Sequence, residues 1–377
     1  MKKIERAKST PLRFVDKDGS AKLFFPTVRQ RVDAYFKENN LSKYYDSTMV
    51  VKTITLLSIY LVPFFVILLF QPAFIVSLIL WSIMGFGVAG IGMSVMHDAN
   101  HGAYSSNSRT SYWIGHSLNL IGGSVFNWKL QHNLLHHTYT NIIHHDDDIA
   151  DKLVLRFSPH TTVKWYHKLQ FVYAFLFYGI LTLYWTLLKD FIQFARYTKS
   201  GINKNSSTEN TVSIVKIVIS KLIYFFVILV VPTVFFQIPF LQVLTGFLIM
   251  HFIAGLVLTV VFQLAHSVEG TSHPLPNADG NMENAWAVHQ LHTTVNFSPH
   301  NKFLCWYLGG LNFQIEHHLF PNICHVHYPR IAGIVKATAE EFGIPYLEKK
   351  TFWQALTSHI RTLRRFGNIP TLNEALS

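Results

Sequence analysis

Four apolar stretches, each long enough to cross a bilayer, restrict this fold more than any other feature of the chain. A hydrocarbon core of about 30 Å takes roughly 20 helical residues to traverse. Inside it every backbone polar group must be satisfied within the segment, which selects helices. The stretches are 53–70, 73–95, 217–236 and 239–265. They form two hairpins, turned at Gln71-Pro72 and at Gln237-Ile238-Pro239, both short and uncharged. Composition agrees, with 50% hydrophobic and only 14% charged residues, against about 25% charged in a soluble domain. The same balance excludes disorder. Two cysteines, Cys305 and Cys324, exclude a disulfide framework and a Cys-rich zinc module.

Lys and Arg exceed Asp and Glu by 11. Such an excess suits nucleic acid or an anionic membrane face. The apolar content favours the membrane, and with no nucleic-acid motif in the chain no nucleic-acid partner is expected. Cations run from Lys2 to Lys52, and both the segment between the hairpins and the C-terminal region are basic. The positive-inside rule therefore places all three polar regions in the cytoplasm and both hairpin turns opposite. The first apolar run starts near residue 53, too late for a cleaved signal peptide. A fifth apolar stretch, 169–188, would break this parity if it crossed, so it is expected to lie in the interface or under the cytoplasmic part. Lys199 to Asn210 reads as a polar linker into the third span. The expected organisation is a basic cytoplasmic segment 1–52, a membrane domain 53–330 and a cytoplasmic tail 331–377. The fold class is all-α: four transmembrane helices in two hairpins under a cytoplasmic helical cap.

The 21 histidines equal the acids in number, and they cluster. His97 and His101, just past span two, are at i and i+4 and share a helical face. His132, His136 and His137 form a second cluster; Gln314, His317 and His318 form a third; His266 stands alone at the end of span four. Spans two and four end on the same membrane side, so eight imidazoles and one amide are expected to converge there. That is too many for one tetrahedral zinc and suits two metals of higher coordination. Imidazole serves iron, copper, zinc and nickel alike, so the donors alone leave the metal open. His289, His292, His325 and His327 are candidates for supporting the ligands. His116, His160, His167, His251, His273, His300 and His359 read as structural or exposed. Asp146, Asp147 and Asp148 read either as supports for the imidazoles, as a contact for a cationic donor, or as a solvated turn. Lys129 is a candidate contact for an anionic headgroup.

These clusters resemble the histidine boxes of the integral-membrane fatty acid desaturases: HxxxH at 97–101, HxxxHH at 132–137 and QxxHH at 314–318. The resemblance covers roughly residues 50 to 330. Gln314 in the third box, within Gly309-Gly310-Leu311-Asn312-Phe313-Gln314-Ile315-Glu316-His317-His318-Leu319-Phe320-Pro321, is similar to the front-end subgroup, which inserts a double bond between an existing one and the carboxyl end. The stretch from Gln290 to Asn296 is similar to that subgroup as well. The resemblance implies a di-iron site with His97, His101, His132, His136, His137, His266, His317 and His318 as ligands, Gln314 standing where other branches have histidine. It implies dioxygen as co-substrate and an acyl-CoA or phospholipid acyl chain as substrate. No His-Pro-Gly-Gly haem motif is present and 1–52 is too short for a cytochrome b5 domain, so electrons are expected from a separate ferredoxin or cytochrome b5-type donor. The expected location is a bacterial inner membrane, multi-pass, with both termini and the active site cytoplasmic. A sphingolipid desaturase or lipid hydroxylase with the same metal site is the alternative.

Overall fold

A computed structural model describes residues 12–16, 19, 22–149 and 154–372. Strand is confined, among these, to two parallel two-residue pairs: β1 (Arg13–Phe14) with β2 (Asn281–Met282), and β3 (Asn296–Phe297) with β4 (Glu348–Lys349). The rest is helix and connecting loop. The helices that place the site are α1 (Phe24–Glu38), α2 (Ser47–Phe70), α3 (Phe74–His101), α4 (residues 125–139), α5 (Trp165–Lys199), α6 (Ser207–Phe235), α7 (Phe240–His266), α8 (Trp286–Thr293), α9 (Gln314–Leu319), α10 (Tyr328–Glu341) and α11 (Phe352–Asn368).

Five of these, α2, α3, α5, α6 and α7, are long and apolar enough to cross a membrane, where the sequence reading counted four. Several limits move as well. Asp46 caps α2, accepting from the Met49 N–H at 3.0 Å, so that helix starts ahead of residue 53 and takes in Lys52. Ser206 and Glu209 form a reciprocal cap that starts α6 inside the expected linker. α3 continues without a break through the first histidine box.

The two hairpin turns lie side by side. Gln71 and Gln237 both adopt left-handed backbone, with φ of 41° and 57°. The Gln71 amide donates to the Phe236 carbonyl at 2.7 Å, tying one turn to the other. Both turns therefore occupy one end of the bundle, and His101 and His266 end their helices at the other. A core of Leu56, Tyr60, Trp81, Met84, Val88, Phe247 and Met250 fills the space between the hairpins.

α5 packs along α7 at close range. A Cβ on Gly255 would sit 2.6 Å from the Gly179 carbonyl oxygen and 2.7 Å from that of Tyr178, so only glycine fits there. Both ends of α5 hold elements of the site end. Gln170 donates to the Leu363 and Arg156 carbonyls near its start. Gln193, Arg196 and Tyr197 near its end bind Asp147. Over that end α1 packs on α10 through Phe24, Val28, Val32, Ile331 and Val335.

Candidate metal centre

Separate helices carry the histidines to one place. His97 and His101 occupy the last turn of α3, His266 ends α7, His132, His136 and His137 lie on α4, and Gln314, His317 and His318 lie on α9. His101 and His132 are half-buried and the other seven side chains are buried. All nine residues singled out from the sequence thus belong to one assembly.

Winding matters as much as spacing. Residues Lys129–His136 of α4 are π-helical, and the His137 N–H donates to the His132 carbonyl five residues back. In an α-helix of 3.6 residues per turn, position i+5 lies about 140° round from i. With i→i+5 bonding that residue becomes the next-turn neighbour. His132, His136 and His137 therefore face the same way. α3 has a matching π turn at Ile91–Val95, where the Met96 N–H reaches the Ile91 carbonyl just ahead of His97.

The imidazoles fall into two groups. His97, His101, His132 and His317 have ligand nitrogens all within 4.8 Å of one another, and so do His136, His266 and His318. His137 sits between them, its ring centroid 4.6 Å from that of His317 and 4.4 Å from that of His318. Two nitrogens bound to one metal at about 2.1 Å and at a right angle lie roughly 3.0 Å apart. The Nε2 atoms of His97 and His132 are 3.1 Å apart, and those of His132 and His137 are 3.3 Å apart.

The outer ring nitrogens are held by acceptors. His136 Nδ1 donates to the Asp146 carboxylate at 3.1 Å, His318 Nδ1 to the Gln290 side-chain oxygen Oε1 at 2.8 Å, and His266 Nδ1 to the Thr293 backbone carbonyl at 3.3 Å. Tyr328 gives its hydroxyl proton to the Phe320 carbonyl, leaving its oxygen to accept from His317 Nδ1 at 3.3 Å. Donation at Nδ1 leaves the lone pair on Nε2. The Nε2 atoms of His101, His136, His266, His317 and His318 are buried with no hydrogen-bond partner among the described residues. A buried polar atom without a partner is costly, and five converging on two small volumes fit metal binding.

Electrostatics keep the donors neutral. Burial first, and then the neighbouring imidazoles, hold His132, His137, His317 and His318 well below the ordinary histidine range. Burial also works against charge on His136, but the Asp146 carboxylate outweighs it and raises that group. At those four residues a cation would meet lone pairs rather than imidazolium protons.

Sequence reasoning left several supports unassigned: Gln290, Thr293, Tyr328 and Asp98. The stretch 290–296 had been singled out only as a resemblance; its role is to pass under the centre and supply acceptors. Asp146 takes the supporting role. Asp147 instead accepts from the Tyr197 hydroxyl at 2.5 Å and pairs with Arg196, while Asp148 accepts from Gln131 and lies 3.7 Å from His136 Nδ1. His289 turns away to the Thr140 carbonyl at 2.8 Å. His325 joins a buried chain in which Lys52 Nζ donates to its Nε2 at 2.6 Å and its Nδ1 donates to Asp98 at 2.8 Å, and Asp98 lies 3.8 Å from His97 Nδ1. His251 and His359 bond to Tyr224 and Tyr178 away from the centre. Gln314 is buried with its side chain turned to His266.

The bundle and its buried imidazoles define a multi-pass membrane protein with a polyhistidine cluster whose donors could hold metal. The profile of the fatty acid desaturase family matches residues 72–350, and the chain belongs to that family; it is an oxidoreductase. It is 35% identical over 365 residues to the acyl-lipid (8-3)-desaturase of Physcomitrium patens, covering 96% of this chain and 75% of that one. It is 34% identical over 348 residues to the sn-1 linoleoyl-lipid 6-desaturase of Arthrospira platensis, covering 92% and 93%. Against the sn-1 linoleoyl-lipid 6-desaturase of Synechocystis sp. the identity is 34% over 365 residues, covering 94% and 98%.

Proposed function

We propose that this chain is a front-end desaturase that acts on acyl groups carried by membrane lipids and holds two iron ions. His97, His101, His132 and His317 take one ion; His136, His266 and His318 take the other; His137 lies against both. Gln314 stands at the edge of the second group. The observation that carries the reading is the common orientation of the supported imidazoles, Nδ1 tied outward and Nε2 bare inward. When bound, iron supplies what no acid–base side chain can, reduction of dioxygen and removal of hydrogen from an unactivated methylene.

The chain's own residues do the placing. Asp146, Gln290, Thr293 and Tyr328 fix the ring orientations and tautomers. Trp128 stacks close to His132, with centroids 4.6 Å apart, and Phe262 packs 5.0 Å from His136. These rings keep water from the centre. The relatives' activities on linoleoyl-lipid and acyl-lipid substrates support a lipid-bound acyl chain, and Gln314 supports the front-end type. Electrons come from a separate ferredoxin or cytochrome b5-type donor.

In this reading α2, α3, α6 and α7 are the spans, with the site and both chain ends cytoplasmic. α5 lies in the membrane plane beneath the cytoplasmic part. Its support is that both ends bind elements of the site end, while Val172, Leu176, Ile180, Leu187 and Ile192 expose an apolar stripe to lipid.

The test is expression in a host with a compatible donor, fed linoleic acid, with fatty acids profiled by gas chromatography–mass spectrometry and double-bond localisation. A new double bond on the carboxyl side of the existing ones, absent from a His317→Ala/His318→Ala variant, is the expected outcome. A hydroxylated product would overturn the desaturation, and purified protein without iron would overturn the metal.

A further inference from the structure

A cavity of about 690 Å³ lies between α2 and α6, floored by the segment that joins the first two histidine boxes. That is within the roughly 300–1,000 Å³ of ordinary ligand sites. Tyr60, Leu61 and Phe64 form one wall and Ile217, Tyr224 and Val227 the other. Asn100, the buried neighbour of His101, and exposed Lys129, the first residue of the π turn that carries His132, also line it.

The polarity of this groove is graded. Ser213, Lys216 and Ser220 line it on the early turns of α6, and Val227 and Ile228 line it further on. From Ser213 to Ile228 the helix rises about 22 Å at 1.5 Å per residue, comparable to a long-chain acyl group. Three lysines reach the groove. Lys221 is already committed, 2.6 Å from Asp190 and donating to the Gly122 carbonyl. Lys129 and Lys216 have no acidic partner among the described residues. The mouth opens between two spans whose facing residues Leu61, Ile219, Ile223 and Val227 are exposed. In a bilayer that mouth faces lipid, so a molecule already in the leaflet reaches it without passing through water.

We propose that this groove is the lateral access route for a bilayer glycerophospholipid, whose phosphate meets Lys129 and Lys216 while one acyl chain lies between α2 and α6 with its inner part beside Asn100. The inference rests on the desaturase reading and adds the site and direction of approach. An acyl-CoA would have to thread its chain from the aqueous face instead.

The full-length protein is reconstituted in phosphatidylglycerol nanodiscs with a trace of phosphatidylglycerol bearing a diazirine on one acyl chain, then irradiated, and the adducts are mapped by mass spectrometry. Labelling needs neither iron nor turnover. The expected adducts concentrate on residues 60–64 and 213–228. Ser220→Trp fills the groove and should reduce them at least fivefold with iron content unchanged. Lys216→Glu changes an exposed position, so folding is not at issue, and should reduce them about threefold. Adducts spread evenly over α5 and the outer faces of the spans would overturn the proposal, as would unchanged labelling in Ser220→Trp. Preferential labelling of the groove by diazirine acyl-CoA added from water would overturn the choice of a phospholipid. Groove labelling without any desaturated product would count against the desaturase reading alone.

Discussion

Asp146 gives the sharpest test of the two-group arrangement. Three N–H groups converge on its two oxygens: His136 Nδ1 at 3.1 Å, the Asn141 backbone at 2.9 Å and the Asp148 backbone at 2.9 Å. Asp146→Asn keeps the shape but exchanges one acceptor oxygen for a donor, so one N–H loses its partner at a cost of about 1–3 kcal/mol. The second effect falls on the metal. An outer partner of a ligating histidine is typically worth about 10–100-fold in metal affinity, or roughly 1.4–2.7 kcal/mol. Asp146 supports the group His136, His266 and His318 and touches none of His97, His101, His132 and His317. The loss should therefore be selective. In a graded chelator titration followed by elemental analysis, wild type should release both irons at high chelator. Asp146→Asn should release one of the two at a 10–100-fold lower concentration and keep the other near the wild-type midpoint. Simultaneous loss of both, or an unchanged titration, would refute the division into two groups.

Other outcomes follow from the same contacts. Lys52→Met strands the buried Asp98–His325 pair and should lower stability by about 3–5 kcal/mol, seen as a lower thermal midpoint in detergent, with Lys52→Arg losing less. Burial pushes His359 down to about 4, partly offset by the Ser267 carbonyl. An unfolded histidine near 6.5 binds more protons than the native one between those values, so stability falls with falling pH. The loss should reach about 2 kcal/mol at pH 5, and His359→Gln should flatten the slope of thermal midpoint against pH between 7 and 4.5. Gly255→Leu drives a side chain into the α5 backbone and should cost about 1–3 kcal/mol or more, read as loss of monodisperse protein on size exclusion; Gly333→Ala, at an exposed position of α10 with no atom within 4 Å of its Cβ position, serves as the control for glycine replacement.

Much of the site was legible because it rests on two strong sequence signals. Apolar length places helix ends, and parity then puts His97, His101 and His266 on one side. The tie between Gln71 and the Phe236 carbonyl is the physical form of that parity. Less legible were the helix limits, because polar starts such as Ser47-Thr48 and Ser207-Thr208 are set by the caps at Asp46 and Ser206 rather than by hydropathy. Lys52 shows the same blind spot. It read as the last cytoplasmic cation and is instead buried inside α2, because His325 and Asp98, distant in sequence, supply its partners. Gln290 and Tyr328 carried no periodic signal; they matter only because loops bring them behind His318 and His317.

The arrangement also explains why the boxes have the forms they do. α3 gives both of its histidines to the first group, while α7 gives only His266 to the second. α4 and α9 each serve both groups, so each must carry imidazoles that reach two neighbouring sites. On α9 the neighbours His317 and His318 do this directly, since adjacent residues on a helix diverge by about 100°. On α4 the division falls between His132 and His136, and a third imidazole, His137, must stay on the same face. A regular α-helix would turn that residue aside; the π turn returns it. The first group thereby gathers four imidazoles with His137 beside it, whereas the second gathers three, with Gln314 beside His266. The glutamine of the third box thus occupies the place where the donor set is one imidazole short, and any difference in reactivity from histidine-bearing relatives should originate at that second group.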